Sequence, residues 1–183
     1  LSLPFGFLDK RPIVVALAGS NGAGKSTFYE SHLADGGLRF INADELSANL
    51  GLSAYAAAEL AASIRRELVS KRESFIFETV LSDPVGEKVD QLASYATLGY
   101  TVVLIFIRIQ SVEESIRRVS MRKCQGGHDV PDEKLRSRFN RTLANLKRAI
   151  QKLPHVIVFS NDDLNNPYKF EALYENGQDF KGK

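Results

Sequence analysis

At 183 residues, 44% of them hydrophobic and 25% charged, the chain has the size and composition of one domain with a core of its own. A net charge of +2 gives no general pull towards nucleic acid, and no segment approaches the roughly 20 apolar residues of a membrane-spanning helix. Cys124 is the only cysteine, which excludes an internal disulfide and fits a reducing, cytoplasmic setting.

The opening "LSLPFGFLDKRP" has neither the charged start nor the long apolar centre of a signal peptide, so none is expected. "IVVALA", residues 13–18, is apolar and β-branched enough for a buried strand. Directly after it, "GSNGAGKS" at 19–26 satisfies G-x-x-x-x-G-K-[ST] in full, and a helical pattern follows at 26–33. Glycines let successive N–H groups turn inward without Cβ clashes and build an anion nest at the positive end of a helix. Gly19, Asn21, Gly22, Ala23, Gly24, Lys25, Ser26 and Thr27 are therefore the candidate nucleotide-binding residues, for ATP. Lys25 is placed to reach the β- and γ-phosphates, and the Ser26 hydroxyl to hold Mg²⁺. A glycine turn with an incidental lysine would not need the strand before it and the helix after it.

The next strand, 38–41, leads into Asp44, and in open α/β sheets ligands sit beyond the carboxyl ends of the strands. Asp44 can accept a proton from a substrate hydroxyl, or it can cap the helix that "ELSANL" would form; position alone leaves both open. Glu45 is the weaker alternative. After an Ala-rich helix at 54–72 comes "FIFE", 75–78, whose closing Glu78 suits a substrate contact or a Mg²⁺-bound water, with Thr79 sharing either task. A helix is predicted over 84–98, with Pro84 in its first turn.

The strand at 101–107 has no Asp or Glu at its end, and no Leu-Ser-Gly-Gly-Gln signature occurs, which argues against a motor or transporter ATPase. Helices follow at 111–123, opened by a Ser111–Glu114 capping box, and at 131–153, with "QGGHDVP" between them. Arg117, Arg118 and Arg122 precede that loop, and Arg136, Arg138 and Arg141 follow it. Such a helix–loop–helix could close as a basic lid over phosphates, or it could present a solvated face whose arginines pair with Glu113, Glu114, Asp132 or Glu133. His128 reads as a loop anchor. A last strand at 155–160 precedes a tail that resembles a short hairpin around Glu175-Asn176-Gly177, or a frayed end. Strand and helix alternate throughout. The expected fold is α/β: a P-loop NTPase with a parallel five-stranded sheet, helices on both faces, a lid at about 117–141 and a tail from about 165, all in a single domain over 1–183.

With the phosphate loop, "INADE", "FET" and "GGHDVP…RxRxxRT" together, the chain resembles the zeta-toxin family of P-loop kinases from about Val14 to Asn161, above all its short members. The resemblance implies ATP- and Mg²⁺-dependent phosphorylation of a hydroxyl on a UDP-activated amino sugar such as UDP-N-acetylglucosamine, and a small antitoxin protein as partner. It implies Asp44 as base, Glu78 as a substrate or metal-site carboxylate, and Arg122, Arg138 and Arg141 as lid cations. Residues after Asp44 read "ELSANLG", without the Arg- and His-containing continuation of larger members. A kinase of another metabolite or of a polynucleotide end, and a non-catalytic nucleotide-binding module, are the competing readings. For nucleic acid the basic segment offers only Phe139 for stacking.

Overall fold

Ile13 to Ala18 form β1, and all six residues are buried. A strand without an outward polar position belongs inside a sheet covered on both faces. The structure, a computed structural model, describes residues 3–124 and 130–180 and puts β1 in that place. β3 (Phe75–Thr79) pairs in parallel with one side of β1 and β4 (Thr101–Arg108) with the other. β2 (Arg39–Ile41) lies outside β3, and β5 (His155–Ser160) outside β4, both parallel.

These are the five parallel strands expected, but the sheet has seven, in the order β2-β3-β1-β4-β5-β6-β7. β6 (Lys169–Glu175) adds antiparallel to β5, and β7 (Gln178–Asp179) antiparallel to β6. The expected hairpin is present, turning at Asn176 and Gly177 with φ of 49° and 81°, the left-handed pair that suits a two-residue turn. What the sequence did not convey is that the hairpin extends the sheet, with Leu173 buried against Ile157 and Phe159 on one face.

Side chains alternate across the sheet. Val14, Ala16, Ala18, Phe75, Phe77 and Leu104 face one layer, where they meet Ala61 and Leu68 of α3 (Ala54–Ser70) and Val89 and Leu92 of α4 (Glu87–Thr97). Val15, Leu17, Ile76 and Ile105 face the other, against Phe7, Phe28 and Leu33. Phe28 ends α1 (Lys25–Phe28), which passes into a π turn at Tyr29–Leu33. α4 begins at Glu87 and not at Pro84: the Asp83 carboxylate accepts the Glu87 N–H at 2.6 Å and starts the helix there.

Two local features aim the site. Asn42 caps α2 (Ala43–Leu50), its side-chain oxygen accepting the Asp44 N–H at 2.9 Å, an interaction of about 1 kcal/mol. Asp44 is therefore not the cap, and its carboxylate is left for other work. α5 (Val112–Cys124) and α6 (Asp132–Lys152) lie where the lid helices were expected, and Gly126, Gly127 and His128 between them fall outside the described residues. α6 is tied to the loop after β3: Thr142 donates to the Val80 carbonyl at 2.8 Å, and Asn145 to the Leu81 and Asp83 carbonyls at 2.9 Å each.

Candidate active site

The phosphate loop runs from the end of β1 to the start of α1. Gly22 and Gly24 have φ of 74° and 89°, which L side chains avoid, and the loop is walled in as well. A Cβ on Gly22 would lie 3.1 Å from Arg118 Cβ, and one on Gly24 only 2.7 Å from Asn161 Nδ2. Lys25 is buried, its ammonium donating to the Ser20 carbonyl at 3.1 Å and standing 3.5 Å from Glu78 Oε1. Burial pushes the Lys25 pKa down, and the Glu78 carboxylate opposes that shift.

Glu78, last but one in β3, lies opposite Leu17 of β1, so the parallel register alone brings it to the loop. Its second oxygen accepts from the Ser26 hydroxyl at 2.9 Å and from Asn42 Nδ2 at 3.2 Å. A hydroxyl and a carboxylate side by side are the oxygen donors Mg²⁺ takes while keeping several waters. These residues fit the cofactor pair: Lys25 and the loop amides for the phosphates, Ser26 and Glu78 for the metal. β4, which carries no carboxylate at its end, closes on Arg108, whose guanidinium is held by Glu171 and Asp162. The acid next to the phosphate loop is thus on the opposite neighbour of β1.

Beyond Glu78 opens a cleft of about 330 Å³, lined by Asp44, Glu78, Thr79, Ser82, the small face Ala58, Ala61 and Ala62, and three cations, Arg65, Lys88 and Arg138. Asp44 and Glu78 thus share one cleft, while Glu45 lines a separate groove with Arg39 and Asn49. The Thr79 oxygen accepts the Leu81 N–H at 3.1 Å, so Thr79 shapes the turn while lining the cleft.

Arg65 and Lys88 escaped the sequence reading. Arg65 stands over the Phe77 ring at 4.8 Å from its centroid. Burial pushes Lys88 down, and Arg65 and Arg138 add to that shift against Asp83. Arg138 is pushed down by burial and then by Arg141, with Asp44 opposing. Cations so crowded and dehydrated favour an anion among them. Residues 58, 61, 62 and 65 fall on one helix face, a spacing visible in the sequence, although nothing there tells that the face borders a cleft.

The six arginines of α5 and α6 expected in the lid divide into two groups. Arg117 and Arg118 pair with Glu114, Arg136 with Glu113, and Arg118 also donates to the Asn161 carbonyl at 2.8 Å. Arg138 lines the cleft, Arg141 neighbours it with a buried Nε that has no partner among the described residues, and Arg122 acts electrostatically on Lys25. Arg117 first, then Arg118, holds the Glu114 carboxyl down at about 2 against an ordinary 4.5. A depressed carboxyl stabilises the fold above its unfolded pKa and loses that contribution as pH falls through the folded one. Urea midpoints of wild type and Glu114→Gln should therefore differ at neutral pH and converge as pH drops from about 4.5 towards 2; an unchanging gap would mean the ion pairs contribute nothing.

The family model for the zeta toxin matches residues 40–172. The chain belongs to the zeta toxin family. The match begins after the phosphate loop, so loop and family are separate observations, and together they make this a zeta-toxin domain with a complete phosphate loop whose residues fit ATP and Mg²⁺. Among solved structures, the AvrRxo1-ORF1:-ORF2 complex with ATP is 19% identical with a TM-score of 0.72, over 93% of this chain and 60% of that one. The same complex with sulphate ions is 20% identical with a TM-score of 0.69, over 93% and 61%. The PezAT chromosomal toxin–antitoxin system of Streptococcus pneumoniae is 19% identical with a TM-score of 0.63, over 90% and 72%. The chain thus spans about three-fifths of the AvrRxo1 chain, and these likenesses establish the fold. No curated protein matches the sequence. Among the described residues no helix is long and apolar enough to cross a membrane.

Proposed function

We propose that this zeta-toxin domain is an ATP- and Mg²⁺-dependent kinase that phosphorylates a hydroxyl of a UDP-activated amino sugar, UDP-N-acetylglucosamine or a close relative, as the toxin of a toxin–antitoxin pair. The observation that carries the reading is the shared cleft: Asp44 lies beside Glu78 at the phosphate loop, in a pocket whose other charged groups are Arg65, Lys88 and Arg138. Bound ATP supplies the transferable phosphoryl group. Lys25 would hold its phosphates, and Ser26 with Glu78 its metal. Asp44 orients the acceptor hydroxyl and takes its proton as the oxygen becomes a nucleophile. The three cations pair with an anionic part of the acceptor, which suits the diphosphate of a nucleotide sugar and leaves a neutral sugar with nothing to offset their crowding.

The small face of Ala58, Ala61 and Ala62 leaves width in the cleft for a sugar ring. Two features of relatives support the toxin reading: the family itself, and the toxin–antitoxin system among the similar folds. The test is label transfer from γ-labelled ATP across a panel of nucleotide sugars, sugar phosphates, neutral sugars and oligonucleotide ends, with products identified by mass. Label should enter UDP-amino sugars and not neutral sugars. Transfer confined to neutral sugars or to polynucleotide ends would overturn the acceptor assignment.

A further inference from the structure

Three carbonyls of the phosphate loop are tied off by side chains from outside it, and a fourth by the loop's own lysine. Ser20 C=O accepts from Lys25 Nζ, Asn21 C=O from Ser115 Oγ at 2.7 Å, Ala23 C=O from Asn161 Nδ2 at 2.8 Å, and Gly24 C=O from the Tyr168 hydroxyl at 2.9 Å. In a trans peptide the C=O of one residue and the N–H of the next share a plane and point in opposite directions. Fixing the Ala23 carbonyl outward therefore turns the Gly24 N–H inward, towards the phosphate site. At Gly24, whose carbonyl also accepts the Phe28 N–H at 2.9 Å, Tyr168 reinforces the direction that the first turn of α1 gives the Lys25 N–H.

Asn161 and Tyr168 stand at the two ends of the loop that joins β5 to β6, and both are held firmly. Asn161 is 4% exposed; its N–H donates to the Arg108 carbonyl at 2.9 Å and its own carbonyl accepts from Arg118. Tyr168 meets Phe28 edge-on, with ring centroids 5.1 Å apart, and its φ of 57° is a left-handed conformation uncommon for a bulky residue. Such backbone persists where surrounding contacts over-determine it. The Tyr168 phenol, whose ordinary pKa of 10.0 burial only raises, is a hydrogen-bond donor at neutral pH.

We propose that Asn161 and Tyr168 are positioning residues for the nucleotide: they hold the phosphate loop in its phosphate-receiving shape before any ligand arrives, and so make the connection between β5 and β6 part of the nucleotide site. A preformed nest spares the ligand the cost of ordering the loop, which appears as affinity. The inference concerns phosphate binding and stands whatever the acceptor proves to be.

The test is calorimetric titration of wild type, Tyr168→Phe and Asn161→Ala with ATP and with tripolyphosphate, which has no base or sugar. Tyr168→Phe keeps the ring packing and removes one hydroxyl. It should weaken ATP about three- to tenfold, the worth of one hydrogen bond, and weaken tripolyphosphate by the same factor. Asn161→Ala should do at least as much, and if it does not fold, Tyr168→Phe decides alone. Unchanged ATP affinity in Tyr168→Phe would overturn the proposal. So would a loss for ATP with none for tripolyphosphate, because the residue would then act on the base or sugar and not on the loop.

Discussion

Asp44→Asn should leave ATP affinity within about twofold of wild type and cut phosphoryl transfer by about 10²–10⁴-fold, the range of a single general base. The amide keeps the size of the side chain and the start of α2, because Asn42 and not Asp44 caps that helix. The change therefore removes proton acceptance with little else. Asp44 also lies outside the set of residues that touch Lys25 directly, which is why binding should survive. Nucleotide titration beside steady-state transfer separates the two quantities. Turnover equal to wild type would dismiss Asp44 as base, and equal loss of binding and turnover would make it part of the nucleotide site instead.

Lys25→Met should reduce transfer by at least about 10²–10³-fold, the cost of one donor aimed at developing charge, and should weaken ATP as well. The fold should survive the change at some cost. Lys25 is 6% exposed and burial opposes its charge, but its loss leaves Glu78 without its cation, with only the bonds from Ser26 and Asn42. A lowered melting midpoint that still leaves the protein folded at the assay temperature, with activity gone, is the expected pair of results. If the wild type arrests growth on expression and the variant does not, toxicity depends on the phosphate site. A Lys25→Met protein that still arrests growth would favour a nucleotide-binding module acting through a protein partner.

The part of the site that could be read in advance is the part that is contiguous in the chain. The loop from Gly19 to Thr27 carries its conformation in its own glycines and its charge in one lysine, and so a local pattern announces it. Asp44 and Glu78 could be singled out because each follows a recognisable strand, and parallel strands deliver their ends to one edge of the sheet. The sequence could not say which of Asn42 and Asp44 caps α2, since both residue types cap well and only the geometry of the turn selects between them. Nor could it sort the six arginines, because pairing with Glu113 or Glu114 or with the cleft depends on how α5 and α6 face their neighbours.

Sequence alone thus determined the class of fold, the phosphate loop and the carboxylates at the strand ends, all of which rest on local periodicity or on one short motif. Tertiary structure alone decided that Arg65 and Lys88 join Arg138 across one cleft, and that Asn161 and Tyr168 reach back to the loop from more than a hundred residues away. Those contacts are made by crossovers that bring remote segments together, and a side chain's partner across such a distance leaves no trace in the residues beside it.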